Sequence, residues 1–243
     1  MTRFLLILGL LLLSGRGASA FDAEFDQAQA AYDSGRYAEA VQIYQNMLSN
    51  GVDNAEVYYN LANASFRDGD LPQAVWNYRK AWYSAPRDPD IRDNLHYALN
   101  AAGAVESQYP PFRRVLMSFS SGEWIRIAAG SYVVLSIFIL LAMLIRGARA
   151  VLARLCLLPL GVLVIALGGW WTWRALRNQP EGVIATSGIT ALYGPVAGTM
   201  PHYKLPAGAL VRQSGTDPKG WVEIEYDGKK GWINQSGILI LSP

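Results

Sequence analysis

One cysteine and two histidines in 243 residues leave little scope for thiol or metal chemistry. Cys156 has no partner for an intramolecular disulfide and falls inside an apolar run, where a thiol stays protonated and inert. His96 and His202 lie in different parts of the chain, and neither has a neighbour at metal-ligand spacing. No G-x-S-x-G, P-loop or dinucleotide fingerprint occurs. Asp88, Asp90 and Asp93 cluster, but at a helix start they serve as caps and dipole partners. The expectation is a chain without catalytic residues, metal or cofactor. Charge is scarce too: 16% of residues are charged, where a soluble protein carries about a quarter. The net charge of +2 gives no basis for nucleic-acid binding.

The missing charge is concentrated in two places. Arg3 precedes an apolar run from Phe4 to Leu13, and Ala18-Ser19-Ala20 follows with small residues at −3 and −1. This is the layout of a secretory signal peptide, residues 1–20, cleaved before Phe21. An uncleaved anchor is the alternative, and either places residue 21 onward outside the cytoplasm. In mid-chain, Ile127 to Ile145 and Leu155 to Trp173 each run nineteen residues without a charge. At about 1.5 Å per residue, each matches a hydrocarbon core of about 30 Å.

The expectation is a transmembrane hairpin, with helices over 124–145 and 155–174 and a cytoplasmic loop at 146–154. That loop holds Arg146, Arg149 and Arg154 and no acid, as the positive-inside rule asks. Arg113, Arg114, Arg126, Arg174 and Arg177 sit on the opposite flanks, so the signal peptide, not charge bias, orients the hairpin. Trp124 at one outer end and Trp170, Trp171 and Trp173 at the other fit interfacial aromatic belts. Neither span contains an acid, lysine or histidine, which argues against a proton or ion pathway. Both ends of the processed chain then face the periplasmic side of a bacterial inner membrane.

Residues 21–102 repeat with a period of 34: Gly35, Ala40 and Tyr44 recur as Gly69, Ala74 and Tyr78. Glycine allows a tight turn between helices, alanine a close helix approach, and tyrosine fills the adjoining groove. Asp70 caps a second helix ahead of Pro72, and Asp88-Pro89 starts a further first helix before Gly103 breaks the pattern. The spacing is similar to tetratricopeptide repeats, here two repeats plus a capping helix. Such repeats bind extended segments on the concave face lined by first helices. Counting along the repeat, the groove candidates are Phe25, Gln29, Tyr32, Tyr59, Asn63, Phe66, Arg67, Asp93 and Tyr97, although some of these aromatics pack between helices instead. A carboxylate clamp needs cations where this chain has Asp90 and Asp93. Residues 103–123 form a linker, in which Ser107 to Pro111 is turn-forming and Phe112 to Ser121 reads either as plain linker or as a short interfacial amphipathic piece.

From Gly182 the chain turns to short β-type runs: Val183–Thr186, Ile189–Tyr193, Ala209–Gln213, Trp221–Tyr226, Gly231–Asn234 and Ile238–Leu241. Trp221 to Tyr226 alternates faces, and Asp227-Gly228 supplies a tight hairpin turn. Gly220-Trp221-Val222, the Asp227-Gly228 turn and Gly231-Trp232-Ile233 resemble the signature of bacterial SH3-like domains, which implies a small antiparallel barrel over 182–243. Leu192-Tyr193-Gly194-Pro195 departs from it, because relatives often carry an arginine ahead of the Gly-Pro pair. Members of that family often bind cell-wall peptides or glycans. Tyr193, Tyr203, Trp221 and Trp232 are the candidate ligand face, with cross-strand packing the competing role for both tryptophans.

The fold class expected is therefore a multidomain membrane protein: an all-α tetratricopeptide solenoid, a two-helix transmembrane hairpin and a small all-β SH3-like barrel. That order resembles the BatE family of bacterial aerotolerance-type operons. The resemblance implies a non-catalytic adaptor whose partners are membrane-bound von Willebrand A-domain proteins and, indirectly, a MoxR-type ATPase. A peptidoglycan-binding sensor and an accessory subunit of a wall-processing complex are the alternatives.

Overall fold

The computed structural model describes residues 21–105, 111–177 and 180–241. The signal-peptide segment 1–20 and most of the Ser107–Pro111 turn lie outside the described residues. Helices α1 (21–33), α2 (Tyr37–Ser49), α3 (Ala55–Asp68), α4 (Leu71–Ser84) and α5 (Pro89–Ala101) follow the 34-residue period. Each turn is built as its local sequence dictates. Gly35 and Gly69 take φ of +76° and +91°, the left-handed region that closes a helix. Side chains of Asn54, Asp70 and Asp88 accept from the first free backbone N–H groups of α3, α4 and α5. Ala40, Ala74, Tyr44 and Tyr78 are all buried.

After the short helix α6 (Pro111–Met117), α7 (Ser121–Leu144) opens with a capping box between Ser120 and Glu123. A 3-10 turn at Arg146–Ala148 and the short α8 (Arg149–Leu155) lead into α9 (Leu157–Arg177), which packs antiparallel to α7. Two helical stretches, Ser121–Leu144 and Arg146–Ala175, are long and apolar enough to cross a membrane. Only 6% and 11% of their most apolar windows are buried by protein, unlike the core helices of a soluble fold.

The C-terminal region is one antiparallel sheet of β1 (Glu181–Ile184), β2 (Ile189–Leu192), β3 (Pro201–Leu205), β4 (Leu210–Asp217), β5 (Trp221–Tyr226), β6 (Lys229–Asn234) and β7 (Ile238–Leu241). Its order is β3-β2-β6-β5-β4-β1-β7, and among the described residues no ladder joins β3 to β7. Asp227 and Gly228 both take positive φ in a two-residue turn between β5 and β6, and β5 alternates half-buried and buried as its sequence does. Several strands differ from expectation: β1 is shifted to Glu181–Ile184 from Val183–Thr186, and β6 begins at Lys229 instead of Gly231. β3 was not expected at all: it lacks an alternating pattern and begins at a proline. β4 runs on to Asp217 because a register shift between Gln213 and Gly215 interrupts its alternation.

The sheet is not an independent body. Val75, Tyr78, Leu95 and Leu99 of the repeat share one buried cluster with Val183, Val211, Ile224 and Ile233 of the sheet. The β3–β4 turn fits so closely that a Cβ on Gly208 would lie 3.1 Å from the Ala102 Cβ. A second cluster ties the end of α4 to the hairpin: Tyr83 packs with Met117, Trp124, Ala166 and Trp173.

At the meeting point, Arg79 of α4 donates from Nε to Glu181 Oε2 at 2.9 Å and from Nη2 to Oε1 at 3.1 Å, and the Tyr83 hydroxyl donates to Oε2 at 2.7 Å. The two charged side chains are 4% and 9% exposed. Breaking such a pair strands a desolvated charge. Glu181→Gln is therefore expected to lower stability by about 3–5 kcal/mol in chemical denaturation of the micelle-bound protein followed by tryptophan fluorescence. The triple change Arg79→Met, Glu181→Leu and Tyr83→Phe should recover most of that loss. A Glu181→Gln midpoint equal to wild type would show that the pair contributes nothing.

Candidate functional site

The first helices α1, α3 and α5 line the face where repeats of this type take ligands. Between α3 and α5, Asn94 donates from Nδ2 to the Tyr59 hydroxyl at 2.8 Å and to Asn63 Oδ1 at 3.4 Å. The Tyr78 hydroxyl, reaching across from α4, donates to the same Asn63 oxygen at 2.6 Å. Phe66 and Tyr97 set their rings 5.5 Å apart beside this network. Toward the N-terminus, Phe25 meets Tyr44 edge-on at 5.8 Å, and Gln29 donates to Asp33 at 3.0 Å. Arg67 donates to the Tyr37 hydroxyl at 2.7 Å, and the Tyr37 ring packs edge-on against Tyr32 at 5.3 Å.

The expected groove residues thus fall into two groups. Tyr59, Asn63, Phe66 and Tyr97 form one patch with Asn94; Phe25, Gln29, Tyr32 and Arg67 lie along the α1–α3 seam with Tyr37. Asn63 is occupied as a brace between three helices, whereas Tyr97 is 64% exposed and Arg67 is exposed. Asp93 is also exposed and is engaged by Arg92 at 3.0 Å. Asn94 and Tyr37 were not among the sequence candidates. The available signal for Asn94 was its place one period after Asn60.

Burial holds the Tyr44 hydroxyl up at about 12 and raises that of Tyr78 further still, against an ordinary value near 10. Tyr32 is raised more modestly, by burial partly offset by the nearby Arg67 cation. Arg67 thus brings a cation beside Tyr32.

On the sheet, the four candidates separate. Tyr193, 61% exposed, stacks on His202 at 4.0 Å, and His202 meets Tyr203 edge-on at 4.9 Å. The Tyr203 hydroxyl donates to the Lys229 carbonyl at 3.1 Å; burial, aided by the Glu225 charge, pushes it up to about 12. Trp221 and Trp232 are half-buried on β5 and β6, opposite Asn234 and Glu223 respectively, and Trp232 also pairs with Leu192, the neighbour of Tyr193. Among the described residues no group of three or more His, Cys, Asp or Glu side chains could hold a metal ion.

The junction residues also escaped sequence reasoning, although a signal existed. Gln42, Gln45 and Ser49, all exposed on α2, become Trp76, Arg79 and Tyr83 one period later on α4. Trp76 donates from Nε1 to the Ile240 carbonyl of β7 at 3.3 Å. The face that is polar and solvated in the first repeat is covered by sheet and hairpin in the second.

A tetratricopeptide repeat family model matches residues 31–93. Part of the chain is similar to the photosystem I assembly protein Ycf3 of Cyanophora paradoxa, 29% identical over 136 residues, covering 53% of this chain and 78% of that protein. The protein of the same name from Synechococcus sp. (strain CC9605) is 30% identical over 106 residues, covering 42% and 61%. That of strain CC9311 is 29% identical over 93 residues, covering 37% and 53%. The helical region is therefore a repeat module of the kind that mediates protein–protein interaction.

The raised tyrosines make stability depend on alkaline pH. A folded state that holds these protons more tightly than the unfolded chain keeps the benefit below about pH 10 and loses it as pH climbs toward 12 and beyond. Tyr78→Phe should cost about 1 kcal/mol at neutral pH through the lost bond to Asn63 and should flatten the decline above pH 10. Unfolding midpoints measured between pH 8 and about 12 test this; identical slopes for variant and wild type would refute it.

Proposed function

We propose that this chain is a membrane-anchored, non-catalytic adaptor that holds envelope proteins through its repeat groove, as in a BatE-like system. The observation that carries it is the repeat match at residues 31–93 on a face where Arg67 and Tyr97 remain exposed. The two apolar helices supply the anchor, oriented so that repeat and sheet share the periplasmic face of the inner membrane. The sequence motifs of the sheet support an SH3-like module, and the relatives named as assembly proteins support a role in building a complex rather than in catalysis. Because the sheet packs on α4 and α5, the adaptor presents its two faces at a set distance instead of as beads on a flexible linker. Von Willebrand A-domain membrane proteins are the first partners to test, with a MoxR-type ATPase reached through them.

Photocrosslinking from position 97 in intact membranes is expected to capture A-domain proteins. Arg67→Ala with Tyr97→Ala should reduce competing capture from a neighbouring groove position at least about tenfold, since two exposed contacts of about 1 kcal/mol each are lost. Both side chains are exposed, so folding should be unaffected. Undiminished capture would remove the groove from the function, and protease access to either end only from the cytosol would remove the anchor.

Wall binding is a second candidate, favoured by the exposed Tyr193 ring stacked on His202. The full chain should then be retained on purified peptidoglycan and released by Tyr193→Ala. No retention of wild type would dismiss it.

A further inference from the structure

The short helix α6 stands between the repeat and the hairpin, and its two sides meet different surroundings. Met117 is 3% exposed and lies in the cluster of Tyr83, Trp124, Ala166 and Trp173, with Leu116 and Phe119 packed against it. Phe112 and Val115 are each 65% exposed. Three residues apart, they share one side of the helix, and at about 100° per residue Met117 falls about 140–160° round from them. The side turned away from the hairpin is therefore apolar and bare.

The hairpin sets the height of that side. The uncharged run of α7 begins at Ile127, and that of α9 ends at Trp173, ahead of Arg174. Trp124 and Trp173, which pack with Met117, thus stand where hydrocarbon gives way to headgroups. Trp171, on the same turn of α9, is 68% exposed, as a side chain of an interfacial belt is. α6 packs on α9 beside this belt. At that height the medium around an exposed side chain is lipid, not bulk water.

The repeat is clasped to the same level. Arg87, in the turn between α4 and α5, pairs with Glu123 at the start of α7 and lies 5.1 Å from the Phe119 ring centre. Tyr83 of α4 closes the cluster around Met117 from the repeat side.

We propose that α6 is a membrane foot: it lies along the periplasmic interface and seats Phe112 and Val115 about 5–10 Å into the headgroup–acyl boundary. The surface it binds is the bilayer itself. This inference rests on the membrane anchor proposed above. Seated in this way, α6 fixes the height and tilt of the repeat, so that the groove meets partners from a set position over the membrane plane.

The test is site-directed spin labelling of the full chain in phospholipid vesicles, in a Cys156→Ala background. Nitroxides at Phe112→Cys and Val115→Cys should collide more often with dissolved oxygen than with a water-soluble nickel chelate. Leu140→Cys, 57% exposed on α7, should show the same preference, and Tyr97→Cys on the repeat the reverse. Adding Phe112→Asp should shift the label at 115 toward the chelate and leave position 140 in lipid. Labels at 112 and 115 that favour the chelate overturn the proposal. So do labels shielded from both reagents, which would mean that a second copy covers the face. With position 140 in lipid, either result refutes the foot alone; position 140 open to the chelate refutes the anchor as well.

Discussion

A carboxylate and a guanidinium, both nearly dry, hold this molecule together at one point. Removing two charges from water is costly, and their attraction offsets that cost only when the geometry is right and the remaining lone pairs are satisfied. Here Arg79 engages Glu181 through two nitrogens, and Tyr83 takes up further capacity of one carboxylate oxygen. Arg79 also lies 4.4 Å from the Trp82 ring centre, a contact that favours a desolvated cation. The arrangement tolerates little displacement, so α4 and β1 are held in one register. Tyr83 belongs at the same time to the cluster with Trp124 and Trp173, and the hairpin therefore joins at the same place.

That constraint shapes what the repeat can do. The helices α1 to α5 bury a cluster of their own around Tyr44, Met47 and Leu61, but the outer side of α4 and α5 needs cover. The sheet supplies that cover by sharing a buried cluster with α4 and α5, which leaves the first-helix face open. Within that face the polar side chains divide their work. Asn63, Asn94 and Tyr78 satisfy one another and set the spacing of three helices, while Tyr97 and Arg67 stay exposed. Exposed apolar area lies mainly on α7 and α9, which carry the stretches long and apolar enough to cross a membrane.

Much of this was legible beforehand because it is local. A helix cap acts over three residues, a two-residue hairpin turn over four, and an apolar run declares its length directly. Asp70, Asp88, Asp227-Gly228 and the two nineteen-residue stretches could all be read for that reason. β3 was harder, since a short strand beginning at Pro201 has no alternation to show. Asn63 illustrates a different limit: repeat position placed it on the groove, but only its neighbours show that its oxygen is already taken.

The sequence by itself determined the helical period, the caps and turns, the apolar spans and the alternation of β5, all set by residues within a few turns of one another. Only the tertiary structure decided that the sheet would pack on the repeat and that α4 would bury an arginine where α2 exposes a glutamine. The reason is distance along the chain: Arg79 and Glu181 are 102 residues apart, and no local pattern encodes a partner that far away. Burial turns the same helix position from a solvated side chain into a paired charge, and burial is a property of what covers the helix.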